Sequence, residues 1–548
     1  RVGGRRIMAT QHNSVMLGLA VERIGIPAPG PEGSHMRHGL DRREFLRTLS
    51  ALALAPTLGT SACATATRLT ANPFTLGVAS GSPLPDGVVL WTRLAPEPLA
   101  GGGLDPVPLP VRWEVADDEA FRRIVRRGSA VADPAWAHSV HVEVTGLAPD
   151  RWYFYRFLVG DFTSPVGRTR TAPLPDAVRA WRFAYASCQQ YEQGYYAAHR
   201  HMAEEDLDLV VFLGDYIYES SWGQQHVRKH EGPEPYTLAQ YRNRYARYKT
   251  DPDLQRCHAR FPWIVTWDDH EVQNDYANDR SQDLDPNFLV RRAAASQAYY
   301  EHMPLRAANR PRGPHMRLYG HYDFGPMVRF YVLDGRQYRT HQACPKPGRG
   351  GANIVNGCAE RLAEQRTMLG FEQEAWLGAR LADSAARWNV IAQPTLMAQI
   401  DRQRGPRRRY WTDGWDGYPA ARKRLLTEIA NRKIANPLVI GGDVHAYWVC
   451  DLVTDFDDPR APLVATEVCG TSISSQGWPQ ERIDAWRADS PHARYARSDR
   501  RGYVTVQLDQ RAARVRLRAI DSEKDPNSRI ATLATFLVAD GKAGAQPD

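Results

Sequence analysis

The sequence is poor in the features that mark several common protein classes. Its seven cysteines in 548 residues are too few for a scaffold built on disulfides. It has no internal repeat and no low-complexity tract, and 43% hydrophobic beside 24% charged residues excludes disorder for most of the chain. Because 548 residues exceed an ordinary single domain, we expect one large domain and a smaller one.

Positive charge is in only mild excess. The net charge is +8, and half of it lies in residues 1–64, which carry eight arginines and four carboxylates. The remaining excess, about +4 over some 480 residues, is mild. We therefore expect a solvated surface and no stable nucleic-acid partner.

A long hydrophobic run is missing from the N-terminal part as well. Residues 41–64 read DRREFLRTLSALALAPTLGTSACA, and their apolar stretch is too short and too rich in alanine to stay in a bilayer. Arg42 and Arg43 before this stretch are typical of a twin-arginine export signal. The alternative is an amphipathic helix with a chance pair of arginines.

This signal predicts the location of the protein. We expect recognition by the twin-arginine export machinery, cleavage after Ala64, and a periplasmic or secreted protein without a transmembrane anchor. Lipidation of Cys63 is the less favoured alternative. Residues 1–35 have no fold pattern, and either Met36 is the natural start or Gly33–Met36 is a tag remnant.

Residues 70–175 have the rhythm of β-strands. GVVLWTRL (87–94) and WYFYRFLV (152–159) place β-branched and aromatic residues between turn-forming clusters. LAPDRWY (147–153) resembles the tyrosine corner of β-sandwiches, in which a tyrosine hydroxyl bonds to the backbone upstream. The length suits a fibronectin-like or Ig-like all-β sandwich domain.

From residue 180 to about residue 530, apolar strands alternate with helical patterns. LDLVVFLGD (207–215), FPWIVTWDD (261–269) and LVIGGD (438–443) are continuous apolar runs that end in a polar residue. Such runs are typical of strands buried on both faces in a layered α/β domain.

Residue types that bind metals stand at four strand ends. Cys188 follows RFAYAS, Asp215 follows VVFLG, residues 268–270 follow IVTW, and Asp443 and His445 follow LVIGG. A single aspartate after a strand is usually a turn or cap residue. In open α/β sheets, however, sites form beyond the carboxyl ends of strands, and four such ends together predict a metal site.

The motifs are specific in combination. GDYIYE (214–219), WDDHEVQND (267–275) and GGDVHAYW (441–448), in this order, resemble the PhoD family of alkaline phosphatases and phosphodiesterases, which is related to the purple acid phosphatases. FTLGVASGSP (74–83) and LDGRQYR (333–339) extend the resemblance. It implies an α/β fold, namely a four-layer αββα metallophosphatase domain after the all-β sandwich.

The resemblance also implies Fe(III) with Ca²⁺ beside it. The implied iron ligands are Cys188, Asp215, Tyr218 and His445. The implied calcium ligands are Asp215 as a bridge, Asp269 and Asp443, with Asp268, Asn274 and Asp275 near enough in sequence to help a second calcium. Thiolate and phenolate suit Fe(III), and carboxylates suit Ca²⁺. Without the neighbouring motifs, Cys188 would be interpreted as an ordinary buried thiol and Tyr218 as a core residue.

The implied activity is hydrolysis of phosphate mono- and diesters by a metal-bound hydroxide. His270 would protonate the leaving oxygen or bind the phosphate. Arg336 is either a phosphate clamp, because its planar fork fits phosphate, or part of a structural ion pair. The substrate is a small-molecule or polymer phosphoester, and we expect a monomer. The competing hypotheses are a non-catalytic exported binding protein on a degenerate scaffold and a dedicated nuclease.

The remaining cysteines suggest two disulfides, both as hypotheses. Cys344 and Cys358 bracket a loop rich in proline, glycine and asparagine. Cys450 and Cys469 lie on two apolar runs that are candidate neighbouring strands.

Overall fold

The computed structural model describes residues 69–403, 405 and 407–548. The predicted export signal and Cys63 lie outside this range. Among the described residues, no helix combines the length and the apolar character that crossing a membrane requires.

The secondary structure of the described residues is mostly β. The strands are β1 (Val78–Leu84), β2 (Gly87–Arg93), β3 (Leu109–Ala116), β4 (Ile124–Ala132), β5 (Ser139–Val144), β6 (Trp152–Val159), β7 (Phe162–Thr163), β8 (Gly167–Arg170), β9 (Trp181–Ala186), β10 (Leu209–Leu213), β11 (Pro262–Thr266), β12 (Gly320–Phe324), β13 (Val328–Val332), β14 (Ile354–Val355), β15 (Trp388–Ala392), β16 (Tyr410–Trp411), β17 (Pro437–Gly441), β18 (Tyr447–Val453), β19 (Leu463–Cys469), β20 (Ala493–Arg497), β21 (Gly502–Leu508), β22 (Ala512–Ile520), β23 (Ile530–Ala539) and β24 (Gln546–Pro547). The helices are α1 (Ala197–Met202), α2 (Leu238–Lys249), α3 (Pro252–Arg260), α4 (Phe288–His302), α5 (Phe371–Ala382), α6 (Pro419–Arg432) and α7 (Gln480–Ala488).

Two large sheets form the centre of the molecule. The first has ten strands in the order β24-β23-β22-β21-β9-β10-β11-β1-β2-β5, and the second has seven in the order β12-β13-β15-β17-β19-β18-β20. Strands β9, β10 and β11 are parallel in the first sheet, as are β13, β15 and β17 in the second. The carboxyl ends of each parallel set therefore lie at one edge of their sheet.

The alternation of side chains along β10 shows how the layers stack. Val211 packs into the core between the two sheets, which Phe330 and Val390 of the second sheet complete. Val210 and Phe212 point the other way, into a core covered by α2, α3 and α4. Helices α5 and α6 cover the outer face of the second sheet. Strands buried on both faces explain the continuous apolar runs, and the four-layer αββα prediction is confirmed.

The N-terminal segment is a sandwich that shares a sheet with the rest of the molecule. A five-stranded sheet of β3, β4, β6, β7 and β8 packs against β1, β2 and β5 through an apolar core. Strand β1 pairs in parallel with β11, so that Ser80 lies opposite Pro262. The hydroxyl of Tyr153 accepts a 2.9 Å hydrogen bond from the N–H of Ala148, which is the contact expected of a tyrosine corner.

Candidate metal centre

The strand ends of both sheets open onto one cavity of about 670 Å³, a size typical of small-molecule sites. The predicted site residues that line it are Asp215, Asp269, His270, Asn274, Asp275, Asp443 and His445. Three tryptophans and three cations complete the wall, namely Trp222, Trp411, Trp478, Lys346, Arg402 and Arg409.

Two glycines let the strand ends approach each other closely. Gly214, between β10 and Asp215, has a φ of +107°, and a Cβ there would lie 2.5 Å from the N atom of Asp268. A Cβ on Gly442, after β17, would meet the side chain of Ser187, the residue before Cys188. Larger residues would push apart the loops that carry Cys188, Asp215, Asp268 and Asp443.

The backbone is left-handed at five candidate ligands. Their φ angles are 60° at Cys188, 55° at Asp215, 56° at Asp275, 67° at Asp443 and 52° at His445. For residues with a Cβ this conformation costs about 1–2 kcal/mol each. Such strain concentrates at functional sites, where the surrounding structure enforces it. Here it turns the side chains sharply away from the strand direction.

The first cluster joins four predicted iron ligands. Ligand atoms of Cys188, Asp215 and His445 lie within 4.8 Å of one another. The Tyr218 hydroxyl donates to Asp215 Oδ2 at 2.8 Å, lies 3.2 Å from His445 Nε2, and accepts from Ser475 Oγ at 2.8 Å. The other ring nitrogen of His445, Nδ1, donates to a backbone carbonyl at 2.7 Å. That bond leaves Nε2 as the nitrogen available to a metal.

Burial dominates the electrostatics of this cluster. Burial and the charge of Asp215 raise the pKa of the Cys188 thiol well above its usual range. Burial, with Asp215 and Cys188, does the same to the pKa of Tyr218. The pKa of Asp215 is also raised by burial and by nearby carboxylates. Three acidic groups crowded in a buried space favour a bound cation as their counter-charge.

His270 is held by a carboxylate that the sequence analysis left without a role. Its Nδ1 lies 2.6 Å from Glu219 Oε2, and its ring packs 4.0 Å from the ring of Tyr218. Burial opposes the charged form, but Glu219 and Asp269 outweigh it and raise the pKa of His270 well above its usual range. Glu219 also accepts the backbone N–H of Asn274 at 2.8 Å.

A second cluster, of acidic side chains, lies next to the first cluster. Carboxylate oxygens of Asp269, Asp275 and Asp413 lie within 4.8 Å of one another. Burial and Asp413 raise the pKa of Asp275 to about 7. Burial also raises the pKa of Asp268 to about 6, against the opposing charge of Arg336. Thr395 Oγ1 donates to Asp443 and so helps to fix that side chain.

Arg336 lies beneath these carboxylates and does not line the cavity. It is fully buried, and its Nε donates to Asp268 Oδ1 at 2.5 Å. Its Nη1 and Nη2 contact Asp413 at 3.0 and 2.8 Å, and Nη2 is 3.4 Å from Asp269 Oδ2. Asp268 is likewise buried and ion-paired. The geometry therefore favours the structural ion pair over the phosphate clamp.

The residues present fit a bound metal. Among the described residues, Asp215 Oδ1 and Asp268 Oδ2 are buried without any hydrogen-bond partner. Unsatisfied buried oxygens are costly, and a cation would satisfy Asp215 Oδ1 directly. The thiol, phenol, imidazole and carboxylate around it are the donor set that suits a transition metal, and the carboxylates beyond suit a hard cation.

Sequence reasoning missed residues that reach the site from distant loops. These are Glu219, Thr395, Asp413 and Ser475. Glu219 stands inside the motif GDYIYE (214–219), but only the fold reveals its partners.

One cysteine pair is bonded and the other is not. Cys344 and Cys358 form a disulfide. The hypothesis of a Cys450–Cys469 bond is wrong, because both thiols are free. They lie on β18 and β19, but Cys450 is opposite Glu467, whereas Trp448 is opposite Cys469. Diagonal neighbours in a sheet are too far apart for a disulfide.

Comparison with known proteins agrees with this architecture. The family model described as PhoD-like phosphatase matches residues 183–517, and that of the PhoD-like phosphatase N-terminal domain matches residues 60–173. Alkaline phosphatase D of Bacillus subtilis (strain 168) is 44% identical over 532 residues, which cover 94% of this chain and 90% of that protein.

Solved structures agree as well. The structure of PhoD is 45% identical with a TM-score of 0.84, over 88% of this chain and 93% of that chain. The purple acid phosphatase PPD1 from yellow lupin (Lupinus luteus) seeds has the same fold at 12% identity, with a TM-score of 0.53 over 84% of this chain and 74% of that chain. The chain therefore belongs to the PhoD-like phosphatase family and is a phosphoric ester hydrolase.

Proposed function

We propose that this protein is an exported alkaline phosphatase and phosphodiesterase that uses Fe(III) and Ca²⁺ to hydrolyse phosphate mono- and diesters. The observation that carries the metal assignment is the cluster of Cys188, Asp215, Tyr218 and His445 at the floor of the cavity. Thiolate and phenolate favour Fe(III), whereas Asp269, Asp443 and the neighbouring carboxylates favour Ca²⁺. A degenerate binding scaffold is not favoured, since all the implied ligands are present in the sequence.

When bound, the two cations would neutralise charge on the phosphoryl oxygens and acidify a water molecule. The chain's own contribution to proton transfer is His270, which lines the cavity. Because Glu219 binds its Nδ1, the ring is oriented and its other nitrogen is left to donate a proton to the leaving oxygen. The ring of Trp222 stacks on His445 with 4° between the planes and restricts solvent on that side.

Metal analysis of the purified protein tests the assignment. We expect iron and calcium, and a visible charge-transfer colour from phenolate or thiolate on Fe(III). Cys188→Ala should lower the iron content and the colour together with hydrolysis of bis(p-nitrophenyl) phosphate. Cys257→Ala, which removes another buried free thiol away from the cluster, should change none of these. A colourless, iron-free protein that is inactive with added calcium would refute the proposal.

Export and domain division are part of the same proposal. Arg42 and Arg43 with the short apolar stretch support twin-arginine export. The Cys344–Cys358 disulfide supports an oxidising compartment, because such bonds are rare in the cytosol. A β-sandwich over residues 70–175 and a catalytic domain over residues 180–530 remain our division of the chain.

A further inference from the structure

Arg402 occupies an unusual position in the cavity wall. Its backbone N–H donates to the carbonyl of Arg409 at 2.8 Å. Its guanidinium carbon lies 4.8 Å from the ring centre of Trp411 and 4.7 Å from that of Trp486. Two indoles thus hold the flat group while the side chain lines the same cavity as the metal ligands.

This guanidinium has no carboxylate partner in the part of the chain that the structure describes. Its Nε is shielded from solvent and makes no hydrogen bond there. Burial lowers the pKa of Arg402 to about 10, with Asp416 and Asp443 opposing the shift, so the group stays charged at neutral pH. A nearby arginine differs, because Arg408 is exposed and ion-paired to Asp457.

Arg402 is half-buried, and a partly buried charge without a carboxylate partner among the described residues gains more from an anionic ligand than an exposed one. The ligand must be an anion small enough to share a cavity of about 670 Å³ with the catalytic groups. Phosphate oxygens fit, because the guanidinium fork matches their spacing and its Nε has no hydrogen-bond partner among the described residues. Arg336 is less suited to this role, since it does not line the cavity and is ion-paired to Asp268 and Asp413.

We infer that Arg402 binds phosphate oxygens of the substrate and thereby supplies the arginine contact of the site. This inference rests on the proposed function and names the residue that recognises its substrate. Two phosphates qualify, namely the one being hydrolysed and a second one elsewhere in the same substrate. The same guanidinium chemistry serves both, and kinetics with a matched pair of substrates distinguishes them.

The substrates are the p-nitrophenyl ester of thymidine 5′-phosphate and the same ester carrying a 3′-phosphate. The variant Arg402→Gln is compared with the metal-loaded wild type and with Arg408→Gln, a control from the same loop. We expect Arg402→Gln to raise KM about tenfold with a smaller change in kcat, and Arg408→Gln to leave both constants unchanged. Arg402→Lys keeps the positive charge but lacks the planar guanidinium, so its KM should lie between those of the wild type and Arg402→Gln.

A rise in KM for both esters supports contact with the reacting phosphate, and a rise confined to the bisphosphate supports contact with the second one. Unchanged KM for both esters would overturn the inference. Calorimetric titration with inorganic phosphate separates this result from failure of the proposed function. If the wild type hydrolyses neither ester, weaker phosphate binding by Arg402→Gln still supports the inference, and equal binding overturns it. Should Arg402→Gln fail to fold, Arg402→Lys decides by the same criteria.

Discussion

Replacing Arg336 with methionine is expected to destabilise the protein strongly while leaving substrate affinity nearly intact. Arg336 is fully buried and contacts the carboxylates of Asp268 and Asp413 directly, with Asp269 at 3.4 Å. Methionine keeps an unbranched apolar stem but removes the charge and all five donors. The buried carboxylates of Asp268, Asp269 and Asp413 would then lie close together without the guanidinium that they share.

The expected magnitude follows from that burial. Removing one partner of a buried ion pair costs about 3–5 kcal/mol, because the remaining charge is left uncompensated. We therefore expect Arg336→Met to lower the free energy of unfolding by about 3–5 kcal/mol. The matched control is Arg349→Met, which breaks a 2.9 Å pair with Asp283 whose side chains are about half exposed. Exposed pairs contribute little, so this control should lose less than about 1 kcal/mol.

Urea denaturation of the metal-loaded protein measures both losses, and steady-state kinetics on bis(p-nitrophenyl) phosphate gives KM and kcat for each variant. We expect kcat to fall with Arg336→Met, since Asp268 and Asp269 lose their fixed positions, whereas KM changes little. The opposite pattern would refute the structural interpretation. A variant with wild-type stability and a KM raised tenfold or more would restore Arg336 as the phosphate clamp.

Two further predictions concern stability. Burial lowers the pKa of Lys249 from 10.5 to about 7, a difference equivalent to about 5 kcal/mol, so Lys249→Met should stabilise the protein by a few kcal/mol at pH 7. As the pH rises, the folded state loses this proton at a lower pH than the unfolded state does. The free energy of unfolding of the wild type should therefore increase between pH 7 and pH 10.5 by an increment that the variant lacks. Urea denaturation at several pH values measures this increment, and parallel profiles for the two proteins would contradict the prediction. Cys344→Ser/Cys358→Ser opens a short loop and should cost about 3 kcal/mol, measured by thermal unfolding, where an unchanged midpoint would argue against a stabilising bond.

Much of the fold and of the first ligand cluster could be predicted from the sequence. Residues 209–213 are apolar at every position because β10 packs on both faces, and that pattern is local. Cys188 and Asp215 follow neighbouring parallel strands of one sheet, so the shared edge of these strands is enough to bring them together. Asp443 follows a strand of the other sheet, and only the stacking of the two sheets brings it to the same place.

The direction of long side chains could not be predicted. Arg336 stands in a motif near the site, but whether its fork faces the cavity or the carboxylates beneath depends on Asp413, which lies on another loop. The pairing of β1 with β11 was also hidden, because nothing in residues 78–84 identifies a partner near residue 262. No pattern in the sequence pointed to Arg402, because its proposed role depends on Trp411 and Trp486 and on the absence of a carboxylate partner among the described residues.

The order of strands in the ten-stranded sheet has a consequence for how the protein folds. Strand β9, which leads to Cys188, lies between β10 and β21, and Tyr185 pairs with Val504. On its other side the sheet is completed by β1, from the beginning of the described chain. Contacts this remote in sequence slow folding, because loop-closure entropy is lost before they form. Because β21 flanks the strand that leads to Cys188, we expect the metal centre to form only after β21 has paired with β9, and a chain truncated before residue 502 to lack it.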